Sequence, residues 1–453
     1  MFILFAMFSF SRIKSRSLLA IALLAGFIQT ALAKSPSAAH YPTLGNPTSA
    51  LETQDGRYVF VSVTNVGGPN FDLPDALASN RPGVVSGIKI FRRKGGKLRA
   101  SGFIPLGGRG ANGMAFLPGE KTLVIAVGDA GVAFLDVQDA IHGAAKPYFA
   151  AQGEGAGTFD VVVTPDGKYV FSVNEYGQFQ LNRGNIGVTA VQADSTGRVT
   201  HPLTIGQIPA GNKAAGIAIA PDGSRVYVAT EIVTADNKLP IAGTGNPILA
   251  KGGCVQRTGT PPQLNGYITI IDVQRAVTPG LLPTAVLSRV AAGCSPVRLV
   301  ETADASTLFV SARGDNRILA FSPRLLDSDP YHAFQRALDS GGAAPVGIRL
   351  FDHDLRLAVS NSNRFTTSGG NIAILDISRT KGAALLRTMS AGVFPRNVTL
   401  SSDGRSLYLT DYTSRILEVL HGATGPSWSA TPPSAKRTAR SPEHAPGSST
   451  SSR

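Results

Sequence analysis

The chain has 453 residues, 43% hydrophobic and only 16% charged, with 50 Gly and 29 Pro. So little charge with so much Gly excludes a coiled coil, and the apolar content excludes global disorder, which leaves a turn-rich, all-β globular chain. The net charge of +13 owes part of its excess to the ends: residues 1–33 hold Arg12, Lys14 and Arg16 with no acid, and residues 424–453 hold Lys436, Arg437, Arg440 and Arg453 against Glu443. No dense Lys/Arg run lies between them, so the expected partner is a small anionic ligand or a cell-surface polymer and not a nucleic acid.

The first element is an export signal. Arg12, Lys14 and Arg16 form a positive stretch, residues 18–28 an apolar one too short to span a bilayer comfortably, and Ala31-Leu32-Ala33 fits the small-x-small cleavage rule. Residues 1–10 are apolar ahead of the basic cluster; a start codon placed too early and an uncleaved anchor both account for that. Cleavage after about Ala33 is the expectation, giving a periplasmic or secreted protein with no membrane span.

From residue 51 a unit recurs: an apolar strand, an Asp-Gly turn, then a Val- and aromatic-rich strand. It reads ETQDGRYVFVSV, AFLPGEKTLVIAV, VVTPDGKYVFSVN, AIAPDGSRVYVAT, VETADASTLFVSA, LFDHDLRLAVSN and LSSDGRSLYLTD. The glycine of the turn, or its equivalent, falls at Gly56, Glu120, Gly167, Gly223, Ala305, Asp354 and Gly404. Each unit continues into a third strand (GIKIFRR, GVAFLDV, GYITIIDV and their equivalents), and six of the seven into a weaker fourth that ends in small residues. Four antiparallel strands per unit and seven units predict a seven-bladed β-propeller. The seventh unit stops near Leu420 without its fourth strand. HYPTLGNP at 40–47 matches the missing piece, so residues 39–45 are expected to form the outer strand of the last blade and close the ring. The propeller then spans 34–423. The Ser-, Pro- and Arg-rich tail, 424–453, reads as disordered.

PDGKYVFSVNEYG, PDGSRVYVATE and DGRSLYLTDYTS resemble the YVTN-type propeller repeat, which shades into the lactonase-like seven-bladed propellers. The resemblance covers about residues 39–421 and implies the fold; many functions are grafted on one propeller. VNEYG at 173–177 resembles the lactonases' strand end, which makes Glu175 the counterpart of a proposed general base. FPRN at 394–397 resembles their Phe-Pro-Arg crossing, which makes Arg396 the counterpart of the anion-holding arginine. The lactonases also carry histidine at blade crossings, and here the crossings (ANGM, TFDV, AAGI, SPVR, APVG, FPRN) have none.

Loops between second and third strands share one face with the blade crossings. The long ones are 65–86, 176–184, 232–265 and 363–370, so that face is the expected functional surface. Polar side chains at its strand ends and crossings are the candidate ligand contacts: Asn112, Asp160, Glu231, Arg298, Arg313, Asn361, Arg364 and Asp411. The arginines suit a carboxylate or phosphate, and Glu175 or Glu231 suits a base. Cys254 and Cys294 fall in the blade 4 insert and the next crossing of an exported chain, which predicts a disulfide closing a loop of about 40 residues. HExxH, CxxC and GxSxG are absent, so neither metal nor cofactor is expected. The reading is a monomeric exported propeller that binds a small ligand, or a protein or glycan partner, on its loop-rich face; the alternative is a lactonase-like hydrolase at the channel mouth.

Overall fold

A computed structural model describes residues 37–66, 85–107, 110–153, 156–176, 184–233, 240–243, 265–364, 368–378 and 383–422. The export segment, the tail, Cys254 and much of the long loops lie outside the described residues. After β1 (Ser37–Pro42), the first sheet contains β2 (Asn46–Glu52), β3 (Tyr58–Val66), β4 (Val85–Lys94) and β5 (Lys97–Pro105). The next contains β6 (Met114–Phe116), β7 (Thr122–Val127), β8 (Gly131–Asp136) and β9 (Tyr148–Ala150). A seven-stranded sheet then runs through β10 (Thr158–Val163), β11 (Tyr169–Asn174), β12 (Gly184–Ala190), β13 (Leu203–Ile219), β14 (Arg225–Ile232), β15 (Asn265–Asp272) and β16 (Val286–Cys294). β17 (Pro296–Glu301), β18 (Leu308–Ala312), β19 (Arg317–Phe321) and β20 (Phe334–Asp339) form another sheet. β21 (Pro345–Phe351), β22 (Arg356–Asn361), β23 (Asn371–Asp376) and β24 (Ala384–Ser390) form the next. The last, in spatial order, is β1-β27-β26-β25, with β25 (Pro395–Leu400), β26 (Ser406–Asp411) and β27 (Ile416–His421).

This corrects the expectation of seven separate four-stranded blades closed by a strand over 39–45. The ladders give five four-stranded blades and one continuous seven-stranded sheet. The cause is β13, a 17-residue strand that pairs with β12 through Leu203–Gly211 and with β14 through Asn212–Ile219. The crossing read as a loop turns at Gly211 (φ +81°) and Lys213 (φ +57°) without leaving the ladder. At the other end the strand paired with β27 is Ser37–Pro42, in the register His40↔Glu418. Residues 43–45 already turn inward toward β2, through Thr43 N–H on Arg415 O (3.1 Å) and Leu44 at φ +73°.

Local chemistry explains the repeat. All seven turn positions, Gly56 to Gly404, have φ between +53° and +74°, where glycine is the default. The exceptions Glu120 and Asp354 have another use. Glu120 accepts the Gln54 N–H at 2.7 Å and Asp354 the Ala303 N–H at 2.6 Å, each tying its turn to the preceding unit's. Glu52 does the same for Ser402 N–H at 2.8 Å, joining the last sheet to the first. In five of the seven turns a Thr or Ser hydroxyl donates to the Asp carboxylate, as Thr164 does to Asp166 at 2.6 Å and Thr302 does to Asp304 at 2.6 Å.

The innermost strands β2, β6, β10, the second half of β13, β17, β21 and β25 pack in sequence around one axis, and β25 meets β2. Six of them carry a register shift, four just after a proline: Pro47, Pro296, Pro345 and Pro395. A bulge leaves backbone groups unpaired and re-aims side chains. The hydroxyls of the second strands satisfy those groups: Ser311 Oγ accepts the Arg298 N–H (3.1 Å) and Ser360 Oγ the Gly347 N–H (2.8 Å). The apolar core lies between neighbouring sheets, for example Phe60, Ile88 and Ile90 against Leu123, Ile125 and Leu135.

Candidate functional site

The bulges aim three predicted residues at the axis. Asp160 follows the shift in β10, Arg298 follows the one in β17, and Arg396 lies within the one in β25. None of these strands neighbours another of the three in the ring, so their side chains meet across the channel. Arg298 Nε lies 3.9 Å from Asp160 Oδ2, and its NH1 donates to Ala215 O on the intervening β13. The guanidinium carbons of Arg298 and Arg396 lie 5.1 and 5.0 Å from the centroid of the Phe159 ring. Arg396 also lies 4.9 Å from the Tyr412 ring, Tyr412 packs on Phe394 at 5.4 Å, and Arg364 lies 5.3 Å from Phe394. Three cations and three rings form one row: Arg364, Phe394, Tyr412, Arg396, Phe159, Arg298. Such contacts are individually worth about 0.5–2 kcal/mol, more where water is excluded.

Glu231, on β14, and Arg313, just past β18, form a buried ion pair at 2.6 Å beside this row. Both act electrostatically on Arg298. Burial pulls the Arg298 guanidinium below its ordinary range, Asp160 opposes that, and the nearby Arg396 adds to it. Burial pushes the Asp160 carboxyl up, against the pull of Arg298, the Val161 N–H and Arg396. Asp160 still keeps 18% of its side chain accessible, because it faces the channel and not a packed interface. Gly113 permits this placement: a Cβ there would meet Asp160 Oδ1 at 1.8 Å. With Arg298, Arg313 and Arg396 against Asp160 and Glu231, the cluster holds an excess of positive charge.

The other predicted residues lie elsewhere. Asn112 is buried before β6, its Nδ2 3.4 Å from Thr158 O. Asn361 is buried and donates to Ser340 O and Asn371 Oδ1, both at 2.8 Å. Asp411 has no exposed surface and shares a hydrogen bond with Glu418, whose side chain is equally enclosed. Glu175 is half-buried just past β11, its N–H bonded to Gly157 O at 3.0 Å. Cys294 ends β16 with 6% exposure, its N–H bonded to Asp315 Oδ2 at 2.8 Å; its predicted partner Cys254 is outside the described residues. Phe159 and Gly113 are the contributors that sequence reasoning missed. The signal for Gly113 was present, a glycine in the ANGM crossing, but only the ring geometry shows what it faces.

A separate cleft of about 750 Å³ opens on the turn face where the first and last sheets join, lined by Glu52, Asp55, Arg93, Asp403, Arg405 and His421 among others. Its most buried charge is already engaged: Glu52 binds Arg93, Tyr408 and Ser402. The arginine cluster is therefore the stronger candidate. Among the described residues no group of three or more His, Cys, Asp or Glu could hold a metal, and no helix is long and apolar enough to cross a membrane.

No protein-family pattern matches the chain, and no curated protein matches it in sequence. Solved structures do match. A chain of the mitotic checkpoint complex aligns with TM-score 0.56 and 12% identity, over 86% of this chain and 95% of that one. The β-propeller domain of Cps50 (Swd1) from Myceliophteria thermophila gives 0.55 and 10%, over 84% and 99%. Hydrazine synthase of Kuenenia stuttgartiensis gives 0.52 and 14%, over 84% and 96%. This chain is a β-propeller. At these identities the likeness extends to the fold and no further.

Proposed function

We propose that this protein is an exported β-propeller whose channel mouth binds an anionic ligand. The observation that carries the reading is the convergence of Arg298, Arg313 and Arg396 on one aromatic-lined spot, with Asp160 and Glu231 as counter-charges among the described residues. Arginine presents a flat fork of donors to a carboxylate or phosphate, and ring contacts hold that fork in place before the ligand arrives. A protein or glycan displaying such a group is the larger version of the same partner; the mitotic checkpoint chain is one propeller that belongs to a protein assembly. The test is a thermal-shift screen of the secreted form over sugar acids, lactones, phosphates and acidic glycans. Stabilisation by anions and not by their neutral analogues is expected; no anion-specific shift would reject the reading.

A lactonase-like hydrolase, in the YVTN and lactonase-like lineage, remains the second reading. It is favoured by the place of Arg396, packed between Phe159 and Tyr412 where an anion-holding arginine would sit. The crossings without histidine set it behind binding. Lactone hydrolysis by the wild type, lost in Glu175→Gln with binding intact, would reverse that order.

Export carries a covalent expectation. The secreted protein should have an intact mass two hydrogens lighter than the reduced chain, with Cys254 joined to Cys294; alkylation of both without reductant would contradict it.

A further inference from the structure

Asp160 is itself a carboxylate placed where the anion of the preceding reading would bind. It lies 3.9 Å from Arg298 and within the field of Arg396, and both arginines pack on the ring of the adjacent residue, Phe159. Its other neighbours offer little to hold its charge. Val161 N–H bonds Oδ1 at 3.0 Å, and Gly113, just before the neighbouring strand β6, contributes no side chain. The remaining charges near Arg298 are Glu231 and Arg313, already paired with each other.

An incoming anion and the Asp160 carboxylate therefore require the same two guanidinium groups. Two anions side by side in this enclosure repel, and the repulsion is relieved when one takes a proton. The ligand's charge is fixed by its chemistry, whereas burial already pushes the Asp160 carboxyl up. Resting on the anion-binding reading above, we propose that anion binding at the channel mouth is coupled to the uptake of one proton by Asp160, so that Asp160 acts as a resident competitor that protonation removes. The charges balance: the ligand brings one negative charge, a proton from solvent neutralises Asp160, and Arg298 and Arg396 turn from an internal carboxylate to an external one. The protein would then hold its ligand in mildly acidic surroundings and release it as the pH rises.

The experiment is calorimetric titration of the mature protein with gluconate, a carboxylate whose own charge is constant above about pH 5. Wild-type affinity should fall about tenfold per pH unit once Asp160 is ionised in the free protein. The binding heat should differ between buffers of different ionisation enthalpy by the amount for one proton. Asp160→Asn should bind at least tenfold more tightly than wild type at pH 8 and show no such pH dependence. Binding of gluconate to the wild type with no pH dependence and no proton uptake would overturn the coupling while leaving the anion site standing. The buffer comparison needs no variant, so a poorly folded Asp160→Asn would not shield the proposal. If neither protein binds gluconate or sulfate at any pH between about 5 and 9, the anion-binding reading fails, and the coupling with it.

Discussion

A protein lacking residues up to Pro42 is expected to be less stable than one that keeps Ser37–Pro42 by roughly 3–5 kcal/mol, and to associate through its newly open edge. Six residues of β1 pair with β27, and their loss would leave β27 as an edge strand. Tyr41 would vanish from its edge-on contact with Phe91 at 6.0 Å, and its hydroxyl would no longer accept the Leu98 N–H at 3.3 Å. Glu418 would also lose the His40 imidazole, whose Nε2 now lies 3.4 Å away. Differential scanning calorimetry with light scattering reads both effects. An unchanged melting temperature in a monomeric truncated protein would show that β1 contributes nothing to the stability of the last sheet.

Stability is also expected to fall as the pH rises from about 5 to 8, the reverse of the usual pattern for carboxylates. Burial, then the charge and hydrogen bond of Glu418, push the Asp411 carboxyl up to about 8, against one backbone N–H from Gly392. A shared hydrogen bond between two carboxyls requires a proton on one of them. In the unfolded chain Asp411 gives up that proton near its ordinary pKa of 3.8. Between those two values the folded protein binds more protons than the unfolded one, so stability is fully present below about pH 4 and is lost as the pH passes through 8. Glu301, pushed to about 7 by burial and by Asp222, acts in the same sense. The slope for one such group is about 1.4 kcal/mol per pH unit. Below about pH 4 the turn carboxylates Asp55, Asp166 and Asp403, held low, begin to lose their hydrogen-bonded charge and reverse the trend. Asp411→Asn should flatten the pH dependence of the melting temperature, since it removes one of the carboxyls that burial pushes up. A variant that keeps the wild-type slope would contradict this account, as would a wild type more stable at pH 8 than at pH 5.

The repeat was legible in the sequence because its causes are local. A Thr or Ser, an Asp and a residue at positive φ fold into the same turn wherever they occur, and all seven aligned positions adopt that φ. The departures at Glu120 and Asp354 read as erosion of the motif, yet each carboxylate bonds the backbone of the preceding unit's turn, a contact that exists only once the sheets are side by side. The separation of the third and fourth predicted strand sets failed for a related reason. QIPAGNKAAGI at 207–217 has the composition of a loop, but each half finds a neighbour to pair with, and β13 runs straight through it. At the site, Asp160, Arg298, Arg313 and Arg396 were legible as polar residues at strand ends. Their convergence was not, since the row that links them crosses the axis between strands far apart in the chain. Asp411 looked like its neighbours in the motif; only the pairing of β26 with β27, Leu409 opposite Glu418, shows that a second buried carboxyl lies beside it.

The central claim, an anion site built from arginines of several strands, is tested most directly by titrating an anion that stabilises the wild type into Arg298→Ala and Arg396→Ala. Each should lose about 1.5–3 kcal/mol of binding, roughly ten- to 150-fold in affinity, while the protein remains folded. Wild-type affinity in both variants, with the fold intact, would place the ligand elsewhere and contradict the account.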